Sequence, residues 1–448
     1  MSHTEPTDHD APSLDHLSAE ERARLYETAR RRDDIGRLQE LTAAALLDLA
    51  RGDGLPVQPG IGRSALLFEL IKHRIADTGM GWGEGVLDVL AEGYGFLRSA
   101  RRDFEPGADD VYVSTAQVRR LHLEPGSEIA GPVRPPHGGE NFLALMHVEY
   151  VDGRPVDGLR ARVPFDQRTP LLPRRRLHLE HRGSGPAARL VDLLAPWGLG
   201  QRVLIHAPPG ACRTLLLTDL AQAIAARQPD VHLLLALVDE RPEEIAEVRR
   251  QLGGGGREVV ATAFDAPPAR HLALAEMALA RAQRLVEAGR DVVLLLDSLT
   301  AFARACNREL PHSGKMLSVG LDAAALLRPK KLFAAARSLE EGGSLTVLAT
   351  VLTATGSRLD EVIAEEFAGK ANSEVVLDPA LTALHVEPPL DVLRTCTRRE
   401  DCLLDANALA SLRRLRLDLA RHPPRERLEA LLQLLARHPT NAGLLAGL

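Results

Sequence analysis

Apolar positions recur at helical spacing through LQELTAAALLDLARG, stop at a Gly-Leu-Pro turn, and resume in SALLFELIKHRIADTG from a Ser N-cap. Residues 36–80 therefore read as a small helical bundle. From residue 84 the period changes: GVLDVL, YGFLRS, DVYVS, EIAGPV and LALMHVEYV are short β-rich runs separated by Gly, Pro, Asp and Asn. That alternation predicts a small antiparallel barrel of oligonucleotide-binding or cold-shock type over residues 81–152. Residues 153–195, with RPVDG, TPLLPRRR and GSGP, read as a Pro- and Arg-rich connector. Beyond it, continuous apolar strands (RVLIHA, VHLLLALV, EVVATAF, DVVLLLD, SLTVLATVL) alternate with amphipathic helices. Such runs argue for a parallel sheet covered on both faces, an α/β nucleotide-binding pattern over residues 196–448 that closes with Leu/Arg helices. Residues 1–35 are charged and lack sustained periodicity, so they predict a disordered arm with one short helix in AEERARLYETARRR.

Composition adjusts this picture at three points. Lys+Arg 55 against Asp+Glu 61 gives a net charge of −6, which excludes a chain-wide basic field, so any nucleic-acid contact is local. Seven of the fifteen aromatics (Trp82, Tyr94, Phe96, Phe104, Tyr112, Phe142, Tyr150) fall in the barrel segment, which marks it as compositionally distinct. Four scattered cysteines without a C-x-x-C pair, no apolar run of about 18 residues and a polar, acidic N-terminus fit a cytoplasmic protein with no membrane segment.

RVLIHAPPGACRTLLL sets a buried strand, a Pro-Gly turn and a helix start in the order that phosphate loops use. Against the pattern G-x-x-x-x-G-K-[ST], the first Gly is Ala207, the second is Cys212 and the Lys is Arg213; only Thr214, the hydroxyl for Mg²⁺, is as expected. Asp297 ends an apolar strand, as a Mg²⁺-reaching carboxylate must, and Asp239-Glu240 ends another. Taken singly, these residues leave open an ordinary βα turn and helix-capping acids.

Several segments together resemble the Rho transcription termination factors, hexameric RNA-dependent ATPases of the RecA type. They are GEGVLDVLAEGYGFLRS, DDVYVSTAQVRR, VDERPEE, PHSGKML, GGSLTVLAT and TGSRLDEVIAEEF. The likeness runs in family order from about residue 36 to the C-terminus. It implies a multidomain chain: a helical bundle, an RNA-binding barrel and a RecA-like P-loop NTPase domain with C-terminal helices. Single-stranded RNA, a ring of like subunits and RNA polymerase are the implied partners; ATP and Mg²⁺ are the implied cofactors.

The resemblance also distributes roles. Gly93, Tyr94, Gly95, Phe96, Leu97 and Arg98 match the family's first RNA-binding motif, with Tyr94 and Phe96 stacking on bases, the glycines clearing space for a base and Arg98 meeting a phosphate. Asp110, Val111 and Tyr112, and Glu140, Asn141 and Phe142, match the other walls of that site. Exposed aromatics on a small barrel make this physically reasonable, since stacking on such rings contributes about 1–3 kcal/mol per base. Nucleotide contacts are implied for Gly198, Leu199, Gly200, Gln201, Arg202 and Val203, for Gly210, Ala211, Cys212, Arg213, Thr214 and Leu215, and for Arg241. Glu240 would activate water, Thr214 and Asp297 would hold Mg²⁺, and Arg398 would be an arginine finger inserted by a neighbouring subunit. Lys315 and Arg358 would line the RNA channel.

The departures gather where ATP is handled: Cys212, Arg213, Ala301 in place of an arginine, and Glu387 where the family stacks the adenine. A guanidinium in place of an ammonium is not conservative, being planar and bulkier, although only five of the 55 basic residues are Lys and a general bias toward Arg has the same result. Two readings follow from the sequence: an ATP-driven termination factor, and an RNA-binding, ring-forming relative that hydrolyses ATP poorly.

Overall fold

The computed structural model describes residues 18–447 apart from 33, 40, 77–78, 138–139, 157–162, 255, 312–313 and 319. The chain divides into two units, residues 1–162 and 163–448.

In the first unit, strands Gly81–Val89, Gly95–Arg98, Val111–Val113, Leu143–Leu145 and Glu128–Arg134 pair in that spatial order, and the last pairs back onto the first. The result is a closed five-stranded barrel, which leaves no exposed edge. Alternation sets its two faces: Leu87, Leu97, Val111, Val113 and Leu143 point inward, while Phe96, Tyr112 and Ala144 form a separate cluster. Helices Ile35–Gln39, Ala43–Gly52 and Arg63–Ala76 bury Ile35, Leu46, Leu66, Leu67 and Leu70 in the same core as the inward barrel residues. Bundle and barrel are thus one packed unit, not two, because neither apolar face is covered without the other. The run AEERARLYETARRR forms a helix over Ala19–Arg32, as expected, but it is anchored: Ala29 is buried with Met80, Trp82 and Ala130, and Tyr26 packs against them. The rest of the predicted arm, residues 1–17, lies outside the described residues.

In the second unit the main sheet runs Arg257–Ala263, His232–Glu240, Asp291–Asp297, Ser344–Leu352, Arg202–Ala207 and Ser373–Val376, all parallel, with antiparallel Cys396–Thr397 at the edge. Val203, Ile205 and Ala207 face a core built with helices Pro186–Leu194, Arg213–Arg227 and Pro242–Leu252 and the C-terminal helices from Ala406 onward. Leu204, Leu234 and Leu294, of opposite parity, are fully buried as well, so both faces are covered. Helix Pro186–Leu194 belongs to this core, although its residues read as connector; its apolar face, hidden in a Pro-rich context, is what recruits it.

Candidate RNA-binding face and nucleotide cradle

On the barrel's second face, Tyr94, Phe96, Tyr112 and Phe142 pack as a set of rings. Phe96–Phe142 centroids are 4.8 Å apart, Tyr94–Tyr112 5.5 Å and Phe96–Tyr112 6.0 Å. Edge-to-face packing makes the rings bury one another. Phe96 and Tyr112 are therefore buried, contrary to the expectation of exposed stacking rings, while Tyr94 and Phe142 are half-exposed beside an exposed Asn141. Leu97 and Val111 point into the barrel core. Gly93 has φ +93°, a turn conformation that suits glycine. Gly95 lacks a side chain for a different reason from the expected one: a Cβ there would lie 2.7 Å from Leu87 Cδ1 and 2.8 Å from the Asp88 carbonyl oxygen. It permits close strand packing and does not clear room for a base.

Arg98 also differs from the expectation that it meets a phosphate. Its guanidinium bonds to Asp110 and to Asp88 Oδ2 (3.3 Å) and lies 5.0 Å from the Phe96 ring centroid. Asp110 in turn accepts from Arg102 Nη2 (2.8 Å) and the Gly107 amide (2.7 Å). Arg98 thus braces a ring from a buried ion-pair network and is not free to meet a phosphate. Glu140 plays a similar part, held by both nitrogens of Arg134 at 2.6 and 3.0 Å. Burial acts to raise its pKa, but Arg134 and the His137 amide bring the carboxyl below its usual range. The cation that the sequence reading missed is Arg119. It is exposed, Nη2 lies 4.0 Å from where a Gly93 Cβ would be, and its side chain has no ion pair among the described residues. Its signal was present in DVYVSTAQVRR, but only folding sets that helix beside Gly93.

The second site forms at the carboxyl ends of the parallel strands, where open α/β sheets take their ligands. Strand Arg202–Ala207 turns through Gly210 (φ +81°) and Cys212 (φ +47°) into helix Arg213–Arg227, whose first-turn amides have no intrahelical acceptor. Cys212 adopts the left-handed conformation in spite of its Cβ, at a cost of about 1–2 kcal/mol. Arg213 Nε donates to Asp297 Oδ1 at 2.8 Å and Nη2 to Glu240 Oε2 at 2.9 Å. The Thr214 hydroxyl lies 3.2 Å from Glu240 Oε2 and 3.4 Å from Asp297 Oδ2, and Thr350 donates to Asp297 Oδ1 at 2.7 Å. Thr350 was missed because it reads as one more β-branched residue of an apolar strand. A register shift between Val238 and Glu240, with Asp239 at φ +65°, carries Glu240 into the cluster. Burial and the neighbouring Asp297 raise the Glu240 pKa above the usual carboxylate range, against the pull of Arg213. Burial disfavours the Arg213 charge, but Asp297 and Glu240 raise its pKa above the ordinary guanidinium value.

Against this geometry the expected Mg²⁺ does not fit. Asp297 Oδ1 already accepts from Arg213 and Thr350, Oδ2 faces the Thr214 hydroxyl, and a guanidinium sits where a second cation would be repelled.

Other expected contacts separate. Gly198 to Val203 lie at the leading end of strand Arg202–Ala207, the length of a six-residue strand (roughly 20 Å) from the turn. There they hold the sheet instead of the cradle: the Gly200 amide donates to Thr346 Oγ1 at 2.8 Å, Gln201 Oε1 accepts from the Gly198 amide at 3.0 Å, and Leu199 and Val203 are core. A Cβ on Gly200 would come within 2.3 Å of the Ser338 amide. Arg202 gives its guanidinium to the Lys370 and Ala336 carbonyls. Arg398 follows the edge strand at that same leading end, so it points away from its own chain's cradle. Arg241 N-caps the helix after Glu240 at the cradle rim. Ala211 is core, whereas Leu215 is exposed. Leu215, Cys212, Asp219, His385 and Glu387 line a cavity of about 340 Å³ beside the turn. Ala301 is buried in the first turn of helix Leu299–Glu309, and one turn on Arg304 binds both oxygens of Asp360 at 3.0 and 2.6 Å. Helix Arg358–Ala368 packs beside strand Met316–Ser318, so Arg358 and Lys315 come from adjacent elements. Arg358 pairs with Glu361 at 3.1 Å, and His312 and Ser313 of PHSGKML lie outside the described residues.

A barrel with an aromatic face and a nucleotide-type α/β sheet with its cradle at the strand ends define the class: a two-part RNA-binding protein built on an ATPase fold. Residues 83–157 match the Rho termination factor RNA-binding domain, and residues 187–397 the nucleotide-binding domain of the ATP synthase alpha/beta family. The chain is 43% identical over 410 residues to the transcription termination factor Rho of Rhodopirellula baltica, covering 91% of this chain and 80% of that protein. It is 42% identical to the factor of Pseudomonas aeruginosa (91% and 97% covered) and 41% identical to that of Thermotoga maritima (91% and 95%). The chain belongs to the Rho transcription termination factor family. Among the described residues no helix is long and apolar enough to cross a membrane.

Proposed function

We propose that the chain is a cytoplasmic transcription termination factor that binds nascent single-stranded RNA and works as a ring, a hexamer by family likeness, against RNA polymerase. RNA docks on the rim of Tyr94 and Phe142, with Asn141 reading base edges and Arg119 meeting the backbone. ATP seats on the amides of the Gly210–Thr214 turn, its base toward the cavity lined by Leu215 and Glu387. Arg398, directed away from its own cradle, serves the cradle of the neighbouring copy, and Lys315 and Arg358 follow the RNA in the channel. The observation that carries the reading is the half-exposed aromatic pair on a closed barrel in a chain of this family. Its test is RNA-stimulated ATP hydrolysis by the full chain compared with Glu240→Ala, alongside RNA binding. Hydrolysis above the variant supports the motor, and no RNA binding removes the proposal.

A second reading is favoured by one observation: Glu240, the water-activating candidate, is held by Arg213 and Thr214. The chain would then bind RNA and assemble while turning ATP over poorly, as a regulatory or co-assembling subunit. Hydrolysis no faster than in Glu240→Ala, and a gain on Cys212→Gly with Arg213→Lys, would select this reading.

A further inference from the structure

Arg213 touches two carboxylates that come from different strands, and it does so with one edge of its fork. Nε–H goes to Asp297 and one Nη2–H goes to Glu240. A guanidinium has five N–H donors in a fixed plane, so three remain, on Nη1 and the outer side of Nη2. Arg213 is 27% exposed, whereas Glu240 and Asp297 are 4% and 0% exposed, so Arg213 is the member of the cluster that reaches solvent. Arg213 itself opens the helix that follows the turn whose amides form the anion cradle. An ammonium at this position would be a point charge with no second planar edge.

We infer that Arg213 is the resident cation of this cradle: one edge neutralises Glu240 and Asp297, the other grips the polyphosphate, and nucleotide binds without a divalent ion. The inference rests on the proposal that the cradle takes a nucleotide and deepens it by naming the form bound, a metal-free nucleoside polyphosphate. Two buried carboxylates at the strand ends would otherwise repel a polyphosphate, and neutralising them is the service a divalent ion performs in most such sites. Here the guanidinium performs it at 2.8 and 2.9 Å. Arg213 and Thr350 together occupy Asp297 Oδ1, and the guanidinium charge beside both carboxylates repels a second cation, which is why the metal does not fit.

Equilibrium binding of a fluorescent ATP analogue to the full chain, in Mg²⁺ and in excess EDTA, tests this without reference to turnover. The dissociation constant of the wild type should differ by less than about threefold between the two conditions, whereas Arg213→Lys should weaken roughly tenfold or more when Mg²⁺ is removed. A thermal unfolding transition matching that of the wild type reports that the second unit of the variant is folded, and a variant that fails this control is replaced by Arg213→Gln, for which weak binding in EDTA is again expected. Wild-type binding that collapses in EDTA overturns the inference while the nucleotide reading stands. No binding in either condition overturns both. Equal metal dependence in wild type and Arg213→Lys also overturns it, because the fork would then contribute nothing that an ammonium does not.

Discussion

The barrel and the cradle each centre on an arginine between two carboxylates, and the two clusters have opposite uses. Arg98 is 7% exposed, bound to Asp88 and Asp110 and lying against Phe96, so almost none of its guanidinium reaches solvent. Arg213, likewise bound through two of its five N–H donors, is 27% exposed. The same residue type in the same charge environment is scaffold in one place and a binding group in the other. Exposure is what separates them, since a buried ion pair mainly enforces geometry while a half-open one can still recruit an anion.

The largest effect that would break the contrast is on stability. Arg98→Ala leaves the buried Asp110 with only Arg102 and the Gly107 amide and removes the brace under Phe96, and it should destabilise the first unit by about 3 kcal/mol. Arg213→Ala should lose less, about 1–2 kcal/mol, because Glu240, whose pKa already stands above the usual carboxylate range, can take up a proton in place of the lost cation, and it should abolish nucleotide binding. Urea titration of both variants decides it; comparable losses would mean that the cradle arginine is scaffold too.

A third cluster sharpens the point. Glu258 is held by His232 (2.9 Å) and Arg281 (3.3 Å). Burial opposes its charge, but His232 and Arg281 bring its pKa down to about 2 from 4.5. A depressed carboxylate stabilises the fold above its unfolded pKa and loses that contribution as pH falls through the folded one, here from about 4.5 to about 2. Glu258→Gln should therefore be less stable at neutral pH by roughly 3 kcal/mol, with the gap closing across that window. A constant gap in acid-unfolding curves would show that the pair contributes packing and not charge.

On the aromatic face, Tyr94→Ala should weaken single-stranded RNA binding by about 1–3 kcal/mol with little change in stability. Phe96→Ala should lower both, because that ring is buried in the cluster; equal stability losses would erase the division between reading rim and supporting ring. The smallest effect concerns Arg119. Its replacement by Ala should leave sequence preference intact and reduce the slope of log affinity against log salt by about one. An unchanged slope returns the phosphate contact to some other cation.

Much of this was legible in the sequence because period and turn chemistry are local. The switch from helical spacing to short β runs located the barrel, the alternation of apolar strands and amphipathic helices located the parallel sheet, and strand-terminal Asp297 and Glu240 located the cradle. Pairing across the structure was not legible. Nothing in GYGFLR says that Arg98 is tied to Asp110 or that Gly95 is pressed against Leu87, since both depend on which strand lies next door. Gly198 to Val203 and Gly210 to Leu215 are close in sequence, and a rigid strand between them holds them apart. Helix Pro186–Leu194 hid its apolar face among prolines.

The order of residues alone determined the element types, the family and the chemistry available at each strand end, because those follow from neighbours three or four positions away. Only the tertiary structure decided which charges cancel and which remain to act. Burial and partner choice depend on groups distant in the chain, and Arg213, Glu240 and Asp297 meet only when three separate strands end at one edge of a single sheet.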